Sequence, residues 1–134
     1  MPKRKYQFPV LSFEVLDGDT VAVVLDQGFA CTISQSCRLY GIDTPEKSTV
    51  AGEWVKKVLE KSLSDCPIET LTCESVAQDK FCGRFVGILR ISDVSVNEWL
   101  LDKGLGKPYF GKKKDLWTEE ELEAIALKCQ ELCR

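Results

Sequence analysis

The chain contains no histidine. That absence removes more mechanisms than any motif adds, because Ser-His-Asp and Cys-His nucleophiles, two-His zinc sites and imidazole general bases are all excluded. Acid–base chemistry has to use carboxylates, Lys, Tyr or Cys. A metal would be held mainly by oxygen, which favours hard ions such as Ca²⁺ or Mg²⁺. No run approaches ~18 apolar residues, and the basic start "MPKRKYQFPV" lacks the apolar stretch of about 7–15 residues that an export signal needs. A soluble, cytoplasmic protein without membrane attachment is expected. The seven cysteines are an odd number and none has C-x-x-C spacing, which argues against a disulfide framework or a zinc knuckle. They read as reduced thiols. Cys129 and Cys133 continue the apolar stripe of Leu122, Ile125 and Ala126 at helical spacing, where a thiol packs as a small hydrophobe.

What is present fits one globular domain over residues 1–134, with 44% hydrophobic and 29% charged residues and enough length to bury a core. In the first half Leu11, Phe13 and Val15 alternate with Ser12 and Glu14, and "TVAVVL" follows "DGD", which signals a hairpin. A third strand is expected from Ala30 to Leu39, with Cys31, Ile33, Cys37 and Leu39 on one face and Arg38 on the other. Ala51, Trp54, Val55, Val58 and Leu59 predict a helix across roughly 50–63 by their i, i+3, i+4, i+7, i+8 recurrence. "IETLTCES" and "RFVGILRI" predict two more strands. "VNEWLLDKG" predicts a short helix ended by Gly104, and the capping-box spacing from Thr118 to Glu121 predicts the start of a last one. This order points to an α+β, mainly β, architecture: a five-stranded barrel with three helices packed on it.

Two turns carry the chemistry. "DGDT", residues 17–20, is explained on its own by hairpin preference, and "DTPE", residues 43–46, by a capped turn starting a helix. Together they bring Asp17, Asp19, Asp43 and Glu46 toward one patch whose mutual repulsion a hard divalent ion would relieve. Arg38 sits beside them and Arg84 opens the fifth strand. Carboxylates with two arginines suit a phosphodiester, since guanidinium groups and a metal bind its oxygens while a carboxylate takes a proton from water.

In "DGDT", "RLYGIDTPE", "DKFCGR" and "VNEWLLDKGLGKPY", in that order over roughly residues 10 to 110, the chain resembles the staphylococcal nuclease (thermonuclease) family. The resemblance implies an OB-fold barrel and a Ca²⁺-dependent nuclease acting on DNA and RNA, leaving 3′-phosphate and 5′-hydroxyl ends. Carried onto this sequence, it makes Asp19 and Asp43 direct Ca²⁺ ligands and Thr44 a ligand through its carbonyl, with Asp17 near the ion. Arg38 and Arg84 become phosphate clamps, Glu46 the residue that positions or deprotonates water, Lys80 and Phe81 nucleotide contacts, and Tyr109 an aromatic packing against a base. A monomer acting on nucleic acid is expected. The net charge of −3 counts the carboxylates assigned to the ion, and the basic clusters Lys3–Lys5 and Lys112–Lys114 are candidates to track a phosphate backbone as well as ordinary solvated charge.

The chain departs from the family pattern in three places. Cys82 adds one residue between Asp79 and Arg84, Phe81 replaces a common Tyr, and the C-terminal "ELCR" lacks the usual closing Gly-Leu-Trp. An extra residue in a strand inverts everything beyond it unless a turn absorbs it, so Cys82 is expected in the turn, with Arg84 facing the same site as Arg38. The rival reading is a catalytically silent OB-fold module that binds nucleic acid or a protein ligand. A structural domain with merely acidic turns leaves the joint spacing unexplained.

Overall fold

The computed structural model describes residues 6–79, 84–110 and 116–133. Four antiparallel pairings and one parallel pairing close a barrel. Its strands are β1 (Tyr6–Asp17), β2 (Thr20–Asp26), β3 (Thr32–Leu39), then, past a short β4 (Gly41–Asp43) and the helix α1 (Val50–Ser64), β5 (Leu71–Gln78) and β6 (Arg84–Ile91). The sheet runs β3-β2-β1-β5-β6, and β3 then meets β6 in parallel, aligning Ser36 with Arg84 and Arg38 with Val86. After β6 come β7 (Val94–Ser95), α2 (Val96–Asp102), β8 (Lys107–Tyr109) and α3 (Glu119–Leu132). Five barrel strands and three helices make this the OB-fold, α+β arrangement expected from the sequence.

Closure depends on β1 serving two neighbours. Residues Tyr6 to Pro9 pair with β5, and Val10 to Asp17 pair with β2. Between Val10 and Ser12 the register shifts, because two steps of β1 oppose one step of β2. This bulge corrects the simple alternation expected of β1. Val10 is buried, Leu11 is pushed out to 48% exposure, and the inward phase resumes with Phe13 and Val15. Three other expectations shift locally. β3 begins at Thr32, after Gly28, Phe29 and Ala30 take positive φ of 76°, 53° and 60°, so Cys31 lies exposed ahead of the strand. Ile68 to Thr70 form a turn of 3-10 helix instead of the start of β5. "DTPE" does not start α1, whose cap is Thr49, with its hydroxyl accepting from Gly52 N.

The helices cover the barrel by the stripes read from the sequence. α1 buries Ala51, Val55, Val58, Leu59 and Leu63, and α3 adds Ile125 and Cys129 against the same core. Thr118 and Glu121 form the capping box of α3, and Gly104, with φ 72°, ends the turn after α2. Among the described residues no helix is long and apolar enough to cross a membrane.

Candidate active site

The cleft is built where three chain reversals meet at one edge of the barrel. The first is the β1–β2 turn. Asp17 accepts from Gly18 N at 2.7 Å, and the Asp19 carbonyl accepts from Leu39 N at 2.8 Å, tying the turn to the end of β3. Gly18 does not have positive φ. A β carbon there would lie 2.7 Å from both Thr44 Oγ1 and Val55 Cγ1, so the glycine is required by close approach to the second turn and to α1. The Asp19 carboxylate then receives Thr20 Oγ1 at 3.1 Å and the Thr44 amide at 3.2 Å. One side chain thereby links "DGDT" to "DTPE".

The second reversal carries β3 into β4 through Gly41, which has φ 81°. β4 pairs with β8, setting Gly41 opposite Tyr109 and Asp43 opposite Lys107. This small ladder holds Asp43 close to Arg38 although they stand five positions apart in the chain. Arg38 is only 8% exposed. Its Nη1 lies 3.0 Å from Asp19 Oδ2 and its Nη2 3.6 Å from Asp43 Oδ1, and its guanidinium stands over the Tyr109 ring at 5.2 Å. Both terminal nitrogens are buried and neither makes an aligned hydrogen bond. The two carboxylates therefore balance the charge of Arg38 while its N–H directions stay available to another acceptor.

Arg84 opens β6 at the third reversal. Its alignment with Ser36 puts it on the sheet face that carries Arg38, and it pairs with the Asp79 carboxylate, while Asp79 N donates to Arg84 O at 3.3 Å. Lys80, Phe81, Cys82 and Gly83 lie outside the described residues, as do the clusters at Lys3–Lys5 and Lys112–Lys114. The cleft itself, about 370 Å³, is lined by Asp17, Asp19, Arg38, Asp43, Thr44, Glu46 and Arg84, together with Thr20, Lys47 and Ser48. Glu46 is exposed at its mouth. Burial pushes the Asp17 carboxyl above its ordinary range, against the pull of the Gly18 amide, and the neighbouring Asp19 adds to the rise. Tyr109 stands beside the cleft with its ring against the Arg38 guanidinium.

The donors present suit a partly hydrated hard cation. Asp19 and Asp43 converge on the same guanidinium, and Asp17 and Thr44 border the same space. Among the described residues no group of three or more carboxylates or thiols is placed to hold a metal ion.

Two features escaped the sequence reading. Asn97, 3% exposed, accepts from Leu89 N at 3.2 Å and donates to Tyr40 O at 2.8 Å and Gly87 O at 3.1 Å, bracing the β3–β4 turn from α2. Its signal was a polar residue at the start of a helix, one position after Val96 and three before Leu100, on the face that these bury. Tyr40 and Phe110 form an exposed edge-to-face pair at 5.5 Å at the end of the β4–β8 ladder where Gly41 meets Tyr109.

An OB-fold barrel with a cleft of opposed carboxylates and arginines at its edge is the class that fold and site define. The model of the family described as staphylococcal nuclease homologue matches residues 36–131, and the chain belongs to that family. The matched span includes Arg38, Asp43, Thr44, Glu46 and Arg84. Asp17, at the end of β1, and Asp19, in the β1–β2 turn, precede it. No curated protein matches the chain.

Proposed function

We propose that the cleft is the active site of a Ca²⁺-dependent phosphodiesterase that hydrolyses DNA or RNA to products with 3′-phosphate and 5′-hydroxyl ends. The observation that carries this reading is Arg38. A guanidinium this buried, charge-balanced by Asp19 and Asp43 but with both terminal nitrogens lacking hydrogen bonds, fits an anionic ligand with oxygen acceptors. A phosphodiester supplies two such oxygens. Asp19, Asp43, the Thr44 carbonyl and Asp17 would hold a hard divalent ion. When bound, that ion supplies Lewis-acid polarisation of a phosphoryl oxygen.

The protein groups then divide the reaction. Arg38 holds the phosphate, and Arg84 meets the negative charge that grows on its oxygens as the attacking water bonds to phosphorus. Glu46 orients that water and takes its proton. The bond from phosphorus to the 5′ oxygen breaks, and the departing oxygen takes a proton from solvent water to give the 5′-hydroxyl, leaving phosphate on the 3′ side. General-base help of about 10²–10⁴-fold and roughly 10²–10³-fold from each preorganised donor show that several groups must act together. The exposed Tyr40–Phe110 pair, with Tyr40 two positions along the chain from Arg38, is suited to stack on unpaired bases.

The test is hydrolysis of end-labelled single-stranded DNA and RNA with Ca²⁺ or EGTA, with analysis of the product termini. Cleavage should require Ca²⁺, and Glu46→Ala or Arg38→Ala should each reduce turnover by about 10²-fold or more in folded protein. Equal activity in EGTA would refute the assignment. Tight nucleic-acid binding with no cleavage under any condition would instead establish a silent binding module.

A further inference from the structure

Glu46 is exposed, yet its backbone is among the most constrained in the site. Only Lys47, Ser48 and Thr49 separate it from α1. The Glu46 carbonyl accepts from Thr49 N at 3.0 Å and from Thr49 Oγ1 at 2.7 Å, and the same hydroxyl accepts from Gly52 N at 3.0 Å. One side chain thus caps the helix and clamps the residue before the loop. Gly52 completes the clamp. A β carbon built on it would lie 1.8 Å from Glu46 O, 2.4 Å from Glu46 C and 2.8 Å from Pro45 O, all of them backbone atoms. The Pro45–Glu46 backbone occupies the space a side chain at position 52 would need. Gly52 lies within the helix and has no positive φ, so backbone conformation does not call for glycine there. In a helix interior glycine is less favourable than alanine, which makes close approach the reason for its presence.

Resting on the phosphodiesterase reading of the cleft, we infer that Gly52 and Thr49 are positioning residues for Glu46: the first turn of α1 is the template that sets its carboxylate against the phosphate held by Arg38. Asp19 and Arg38 are also held by the Asp19 O to Leu39 N bond and by the β2–β3 register, and Asp43 by the β4–β8 ladder. The clash of a side chain at position 52 falls on the Pro45–Glu46 backbone, so Glu46 is displaced first. A misplacement of about 1 Å is enough to cost on the order of 10²-fold in rate.

The experiment compares kcat, KM and calorimetric Ca²⁺ affinity for Gly52→Ala, Glu46→Ala and the double variant, with circular dichroism to establish folding. Gly52→Ala should lower kcat by about 10–100-fold with KM and Ca²⁺ affinity within about 2-fold of wild type. In the Glu46→Ala background it should cost nothing further in kcat, a non-additivity that a general loss of structure would not produce. A folded Gly52→Ala with wild-type kcat, alongside a crippled Glu46→Ala, overturns the positioning inference and leaves the active-site reading intact. A fully active Glu46→Ala overturns the role given to Glu46, and the inference with it. Should Gly52→Ala fail to fold, Thr49→Val and Thr49→Ser decide: loss of kcat in the first and retention in the second support the clamp, and full activity of Thr49→Val refutes it.

Discussion

Asn97 is the residue whose removal should do most harm for its size. Its amide joins three parts of the backbone, accepting from Leu89 N in β6 and donating to Gly87 O in β6 and to Tyr40 O at the β3–β4 turn. Asn97→Ala leaves these groups unequally placed. Gly87 O keeps the Tyr40 amide, which donates to it at 2.8 Å, but Leu89 N and Tyr40 O lose the partners Asn97 gave them. Stranding a buried polar group costs about 1–3 kcal/mol, so two such groups give roughly 2–5 kcal/mol, with a small cavity adding to it. Against a total stability of about 5–15 kcal/mol this is a large fraction. At a few degrees per kcal/mol for a chain of this size, the melting temperature should fall by about 10 °C. Urea unfolding followed by tryptophan fluorescence would read the change as a lower midpoint with an unchanged slope. Asn97→Leu restores volume without hydrogen bonds and should be no better. A loss below about 1 kcal/mol in Asn97→Ala would show that water satisfies these groups and would refute the bracing role. Because Tyr40 lies between Arg38 and Asp43, turnover should fall in Asn97→Ala even at temperatures where the variant remains folded.

Arg38→Met removes the cation that Asp19 and Asp43 share, and breaking a buried pair from one side costs about 3–5 kcal/mol. The variant should melt well below wild type in EGTA and gain more from saturating Ca²⁺ than wild type does; an equal Ca²⁺-dependent shift in the two proteins would contradict the charge balance drawn here. For the thiols, burial pushes Cys129 up to about 11, and the hydrogen bond from Cys73, followed by burial, raises Cys37. A raised thiol favours the neutral form in the folded state, so its contribution to stability is whole below the ordinary value of 9.0 and is lost as pH climbs through about 11. Alkylation at pH 8 read by mass spectrometry should mark the exposed Cys31 first and leave Cys37, Cys73 and Cys129 unmodified until unfolding, and a Cys129 as reactive as Cys31 would refute this.

How far each feature could be read from the sequence follows the range of the interaction that makes it. α1 and α3 were legible because their apolar stripes and the Thr118–Glu121 cap are local, repeating every few residues. The bulge at Leu11 was not. An alternating segment fits a strand in either phase, and only pairing with β2 on one side and β5 on the other shows that Val10 and Val15 both point inward. β4 and β8 are three residues each, too short to show any period, yet their pairing is what holds Asp43 near Arg38. The site divides in the same way. Arg38, Asp43 and Glu46 stood out as charged residues crowded around Gly41 and Pro45, and the motif order tied them to Asp19. What locates their atoms is non-local and largely uncharged: the amide of Asn97, the Tyr109 ring beside Arg38, and the missing side chains of Gly18 and Gly52. A glycine inside a helical stripe reads in sequence as a weak point of the helix. Only when the Glu46 carbonyl is seen against its α carbon does the weakness become a packing requirement. The charged residues of the cleft can therefore be named from their spacing, whereas the groups that hold them in place emerge only from contacts between segments whose sequences carry no charge at the point of contact.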